Sequence, residues 1–169
     1  MTRTMYDSVN LHDIPRTGGQ MVAYYLNGLY AVASIAEVND LFPTWKHVPI
    51  DVKGDRADFA RVFDVETGDI EPGQLEQICK DYQRESPYYK YGGRPVVYCN
   101  RSTIPAVRTG TGQNVLGRDY FLWVGTGDGT VYTGSELTGP YAKNGVVACQ
   151  DKWGRTYNSS VVIADLWMP

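Results

Sequence analysis

A chain of 169 residues is long enough for one domain with a core of its own, and 43% hydrophobic with 21% charged residues is the composition of a folded protein, not a disordered one. The net charge is −3, and Lys and Arg are scattered rather than gathered into a stripe, which argues against a nucleic-acid partner. No apolar run approaches membrane-spanning length and Met1 to Asp7 lacks the apolar core of a signal peptide, so synthesis in the cytosol is expected, with any export by another route.

In chain order, Met5 to Val9 reads as a short strand that delivers Asp7 and Asn10 to the breaker region 13–19. Gln20 to Asn27 is a second strand, closed by Gly28. Ser34, with Glu37 three residues later, opens a short helix that runs to Leu41 and stops at Pro43. His47 to Val52 alternates as a third strand, and Pro49 within it points to an edge or a bulge.

The run Val62-Phe63-Asp64-Val65-Glu66 is a fourth strand, ending at Gly68 and Asp69. Strand alternation places Asp64 and Glu66 on one face, roughly 6.7 Å apart. Two like charges there repel, and desolvation favours keeping one of them protonated. A proton donor beside an anion is the equipment of glycoside hydrolysis. The same spacing also occurs on strand ends that merely carry two acids.

Pro72 then opens the clearest helix, with Leu75, Ile78, Cys79 and Tyr82 on one face. Pro95 to Asn100 is an apolar run suited to a strand buried on both sides. Ser102 to Val107 has room only for a short helix. Tyr120–Gly125, Gly145–Gln150 and Ser160–Asp165 complete eight strand candidates. Strands separated by helices or long loops predict parallel pairing with right-handed crossovers. Several runs end in a polar or acidic residue, which is where catalytic groups sit in a barrel of this class.

The expectation is an α/β fold: a single domain over 1–169, built as a trimmed or irregular (β/α)8 TIM-type barrel with short crossovers. The length is below the roughly 200 residues of a complete barrel of this kind, and the first crossover has room for a loop but no helix.

Cys79, Cys99 and Cys149 form no C-x-x-C and meet no His at metal spacing; buried free thiols are expected, and neither a metal nor another cofactor. The glycine-rich stretches 110–112 and 125–129 complete no phosphate-binding motif.

The order of these features resembles glycoside hydrolase family 25, the lysozyme-like N-acetylmuramidases, and its shorter relatives common in phages and actinobacteria. Four places carry the likeness: Asp7 in an early strand, the central Asp64-Val65-Glu66, a strand with Tyr at its end in Val96-Val97-Tyr98-Cys99-Asn100, and a Trp strand (Leu122-Trp123-Val124) followed by a Gln strand (Ala148-Cys149-Gln150). Together they span nearly the whole chain, each in a short piece.

The resemblance implies hydrolysis of β-1,4 bonds in peptidoglycan. Glu66 would be the general acid, and Asp64 and Asp7 would hold charge near the anomeric carbon or position an N-acetyl group. Tyr98, Trp123 and Gln150 would line the sugar cleft. The family carries a further active-site Asp in its last strand. Here the motif falls on Asn158, with Asp165 as the alternative register, and an Asn cannot ionise. Two functions follow: an active muramidase of phage or phage-like origin, working at the cell wall after lysis or within a particle, or a glycan-binding or virion module that keeps the barrel without the chemistry. Peptidoglycan or a related glycan is the expected partner, with other virion proteins for the second alternative and no membrane.

Overall fold

A computed structural model describes residues 3–164. Eight strands close into a barrel in chain order: β1 (Arg3–Asp7), β2 (Met21–Tyr25), β3 (Lys46–Asp51), β4 (Val62–Asp64), β5 (Val96–Asn100), β6 (Phe121–Gly125), β7 (Val146–Trp153) and β8 (Asn158–Val162). Pairing is parallel from β1 through β7. The last strand departs from the all-parallel expectation: β8 runs antiparallel to both β7 and β1. Only the four residues 154–157 join β7 to β8, enough for a hairpin and far too few for a crossover. The barrel is therefore mixed, and strands dominate it.

Three α-helices pack outside: α1 (Ile35–Leu41), α2 (Leu75–Glu85) and α3 (Ile104–Gly110). Ser34 caps α1 by accepting the Glu37 backbone N–H at 3.2 Å, while the Glu37 carboxylate meets His12 Nε2 at 2.7 Å. A 3-10 turn over Pro72–Gln74 leads into α2, whose Leu75, Ile78, Cys79 and Tyr82 are buried as their spacing predicts. They pack with residues of α3 against Phe63, Val97, Cys99, Leu122 and Val124, the outward side chains of β4 to β6. The opposite, inward set includes Met5, Met21, Ala23, Val48, Ile50, Val62, Val96, Trp123, Ala148 and Val162, which fill the barrel. Among the described residues no helix is long and apolar enough to cross a membrane.

Pro49 proves to lie inside the closed sheet rather than at an edge. In a parallel ladder a residue's N–H and C=O face the same neighbour. The Pro49 carbonyl accepts Arg61 N at 3.0 Å, so its missing N–H falls on the β4 side. Pairing with β4 begins only at Ile50, and no ladder bond is lost.

At the carboxyl end of β3, Asp51 is fully buried and organises the following loop. One carboxylate oxygen accepts Lys53 N, Gly54 N and Asn27 Nδ2 at 2.8, 2.8 and 2.9 Å; the other accepts Arg56 N at 2.8 Å. Asp51→Asn keeps the first oxygen but turns an amide N–H2 toward the Arg56 donor. A cost of about 1–3 kcal/mol in urea unfolding is expected; an unchanged midpoint would mean the loop does not depend on this carboxylate.

All three cysteines are free and buried. Burial pushes the Cys79 thiol up to about 12 and raises those of Cys99 and Cys149 as well. A chromogenic thiol reagent at neutral pH is expected to label none of them in the folded protein and all three after denaturation. Rapid labelling under native conditions would show that one of them is accessible.

Candidate functional site

The carboxyl ends of the parallel strands surround a cleft of about 70 Å³, lined by Asp7, Tyr25, Ile50, Asp64, Thr67, Tyr98, Trp123, Gln150 and Asn158. Register explains the gathering. Asp7 stands opposite Asn158 across the β1–β8 pair, Asp64 opposite Tyr98, Tyr98 opposite Trp123, and Gly125 opposite Gln150. Gly125 is required here, because a Cβ would lie 2.7 Å from the Tyr98 hydroxyl. Without that Cβ, Tyr98 reaches across β6 and donates to Gln150 Oε1 on β7 at 2.7 Å.

Gln150 is held in one orientation. Its Oε1 accepts from both Tyr98 Oη and Trp153 Nε1, the latter also at 2.7 Å. Its Nε2 must then point inward, where it donates to Asp7 Oδ1 at 2.8 Å. Asn158 Nδ2 donates to Asp7 Oδ2 at 3.1 Å. Asp7 is thus buried with one amide donor on each oxygen. Desolvation still outweighs those donors, and with the nearby charge of Asp64 it pushes the Asp7 carboxyl up to about 6.

Asp64, 2% exposed, is likewise raised by desolvation, against the opposing pull of the Glu66 N–H and of the Thr67 hydroxyl and N–H. Tyr25 and Tyr98 are raised by burial and by the charges of both Asp7 and Asp64. The rings of Tyr98 and Trp123 meet edge to face at 4.8 Å, and Trp123 Nε1 donates to Ser160 Oγ at 3.0 Å. The cleft therefore joins two buried acids to the edges of buried aromatic rings, and it can accept a hydroxyl or N–H and share a proton.

Glu66 departs from expectation. Strand β4 ends at Asp64, because Asp64 Oδ1 accepts both Glu66 N and Thr67 N, at 2.8 and 2.9 Å, and folds the chain into a turn. The alternation that placed Asp64 and Glu66 on one strand face does not apply. Asp64 points into the cleft; Glu66 is exposed in the turn, does not line the cleft, and accepts Asn100 N at 2.9 Å at the end of β5. Its charge still bears on Asp64 and Tyr98.

Of the residues singled out in the sequence, the cleft brings together Asp7, Asp64, Tyr98, Trp123, Gln150 and Asn158. Asp165 lies outside the described residues. Tyr25, Thr67 and Trp153 were not anticipated. Tyr25 lies inside the run 20–27, where nothing sets it apart from Tyr24; Thr67 and Trp153 depend on turns that no periodicity announces. Among the described residues no cluster of three or more His, Cys, Asp or Glu is placed to hold a metal ion. Compared with known proteins, the chain matches no family model, no curated protein and no solved structure.

Proposed function

We propose that the protein is a glycosidase of the muramidase type on a trimmed (β/α)8 TIM-type barrel, cutting β-1,4 bonds of peptidoglycan. The observation that supports this best is the meeting of two buried carboxyls of raised pKa, Asp7 and Asp64, with Tyr98 and Trp123 at the carboxyl ends of parallel strands. A sugar held at the mouth of this cleft has its anomeric carbon beside two acids. Glu66, in the turn above Asp64, donates its proton to the leaving glycosidic oxygen as the C–O bond breaks. As carboxylates, Asp64 and Asp7 hold the positive charge that develops on the ring, Asp7 being ionised once the pH exceeds about 6. Water adds to the anomeric carbon and returns a proton to the carboxylate. The bound glycan must draw Glu66 from Asn100 N over the cleft.

A second reading has specific support. Both oxygens of Asp7 are already met by amides, and Glu66 is held outside the cleft. A site satisfied in this way suits a glycan-binding or virion module as well as an enzyme. Clearing of purified peptidoglycan suspensions, followed by analysis of the released fragments, separates the two. New reducing ends at N-acetylmuramic acid support the glycosidase acting at the cell wall, after lysis or from a particle. Co-sedimentation with peptidoglycan without new ends supports the binding module. Neither binding nor release would remove both.

A further inference from the structure

A cleft of about 70 Å³ is too small to enclose a sugar ring, so most of a glycan has to lie on the surface around it. Trp153 is an aromatic residue joined to that site from outside by a hydrogen bond. It ends β7, where the strand runs beyond the barrel, and 54% of its surface is exposed. An exposed Trp is ordinarily free to turn. This one is fixed twice: its indole N–H donates to Gln150 Oε1 at 2.7 Å, and its ring lies on the backbone of Gly127. A Cβ on Gly127, whose φ is +69°, would fall 2.1 Å from the ring, so glycine is what allows the indole to lie there. The same ring borders a groove shared with Lys152, Gly154, Tyr157 and Ser159.

From this geometry we infer that Trp153 is a stacking platform for a second hexosamine ring, the neighbour of the one held at the mouth of the cleft above Asp7 and Asp64. Pre-organisation suits it to this task. A large aromatic surface held rigid before binding loses little conformational entropy when a pyranose covers it. Its N–H cannot stray, because Gln150 holds it, and Gln150 is the residue that orients toward Asp7. Trp153 therefore carries two tasks: stacking through its exposed surface, and keeping the Gln150 amide turned toward Asp7 through its edge. The inference rests on the glycan reading of the site but not on catalysis, and serves an enzyme and a binding module alike.

The two tasks separate in variants. Trp153→Ala removes both, while Trp153→Phe keeps a ring and loses the N–H. The probes are peptidoglycan glycan fragments of one to four alternating N-acetylglucosamine and N-acetylmuramic acid units, stripped of stem peptides. Affinities are measured by calorimetry, with cleavage suppressed by Glu66→Gln. With Trp153 present, affinity is expected to rise between one sugar and the longer fragments. In Trp153→Ala that gain is lost, lowering affinity for the longer fragments about 10-fold or more. Binding of the single sugar changes less, and Trp153→Phe recovers part of the gain. In a nitrogen–proton correlation spectrum, the indole signal that disappears in Trp153→Phe is expected to shift when a longer fragment is added. Thermal unfolding checks that both variants stay folded. Fragments that bind with the same length dependence in Trp153→Ala, or an indole signal that does not move, overturn the platform while leaving the glycan site intact. If no fragment of any length binds, the glycan reading falls and the platform with it.

Discussion

Glu66→Gln is expected to slow release of reducing ends from peptidoglycan by about 10²–10⁴-fold, the usual contribution of a general acid. The fold should hardly notice. Glu66 is exposed, and a Gln keeps the carbonyl oxygen that accepts Asn100 N, so stability should stay within about 0.5 kcal/mol of the native protein. The substitution also removes a negative charge that bears on Asp64. Binding of glycan fragments is expected to persist, because Glu66 does not line the cleft. Fragment release at the native rate would show that the proton comes from elsewhere, with Asp64 as the first replacement. Asp64→Asn would then carry the large loss.

The second large effect concerns pH. Burial places the Asp7 carboxyl at about 6 in the folded protein, against 3.8 for an unperturbed Asp. The folded state therefore holds a proton that the unfolded chain has already released between those two values. Stability linked to this group is fully present below about pH 4 and is lost as pH rises through 6. The gap of about two units corresponds to about 3 kcal/mol. Asp7→Asn cannot titrate. Urea unfolding of both proteins at pH 4 and pH 7 should therefore show the native protein losing about 3 kcal/mol relative to the variant over that interval. Asp64 is shifted in the same direction in both proteins and largely cancels from the comparison. Parallel pH profiles would mean that Gln150 and Asn158 hold Asp7 ionised throughout.

Much of this architecture was legible in the residues, and where reading failed the cause is local. The apolar runs at 96–100 and 121–125 and the helical face Leu75, Ile78, Cys79, Tyr82 announce themselves, because burial on both sides of a strand or one side of a helix leaves a periodic mark. Gln150 was visible as a polar residue at the end of such a run, and Asp7 as the acid carried by the first strand. The direction of β8 was not, since Asn-Ser-Ser-Val-Val reads equally well in either sense and only the brevity of 154–157 betrays a hairpin. The spacing of Asp64 and Glu66 misled for a different reason. A side-chain oxygen of Asp competes for backbone N–H groups and ends the strand that alternation would have continued. Asn158 was found as a motif position, but only its pairing with Asp7 reveals that it acts as a donor to that carboxylate.

The reversal of β8 also decides where the barrel can be tethered. Because β1 runs toward the cleft and β8 runs away from it, Arg3 and Val162 stand opposite one another in the register, on the face remote from Asp7 and Asn158. An all-parallel eighth strand would have left its far end beside the cleft. As built, a linker, a label or a solid support joined through either end of the described barrel approaches from beneath and leaves the mouth unobstructed. The closeness of those ends equally suits the barrel to insertion into another chain, or to circular permutation with a new break in an exposed loop.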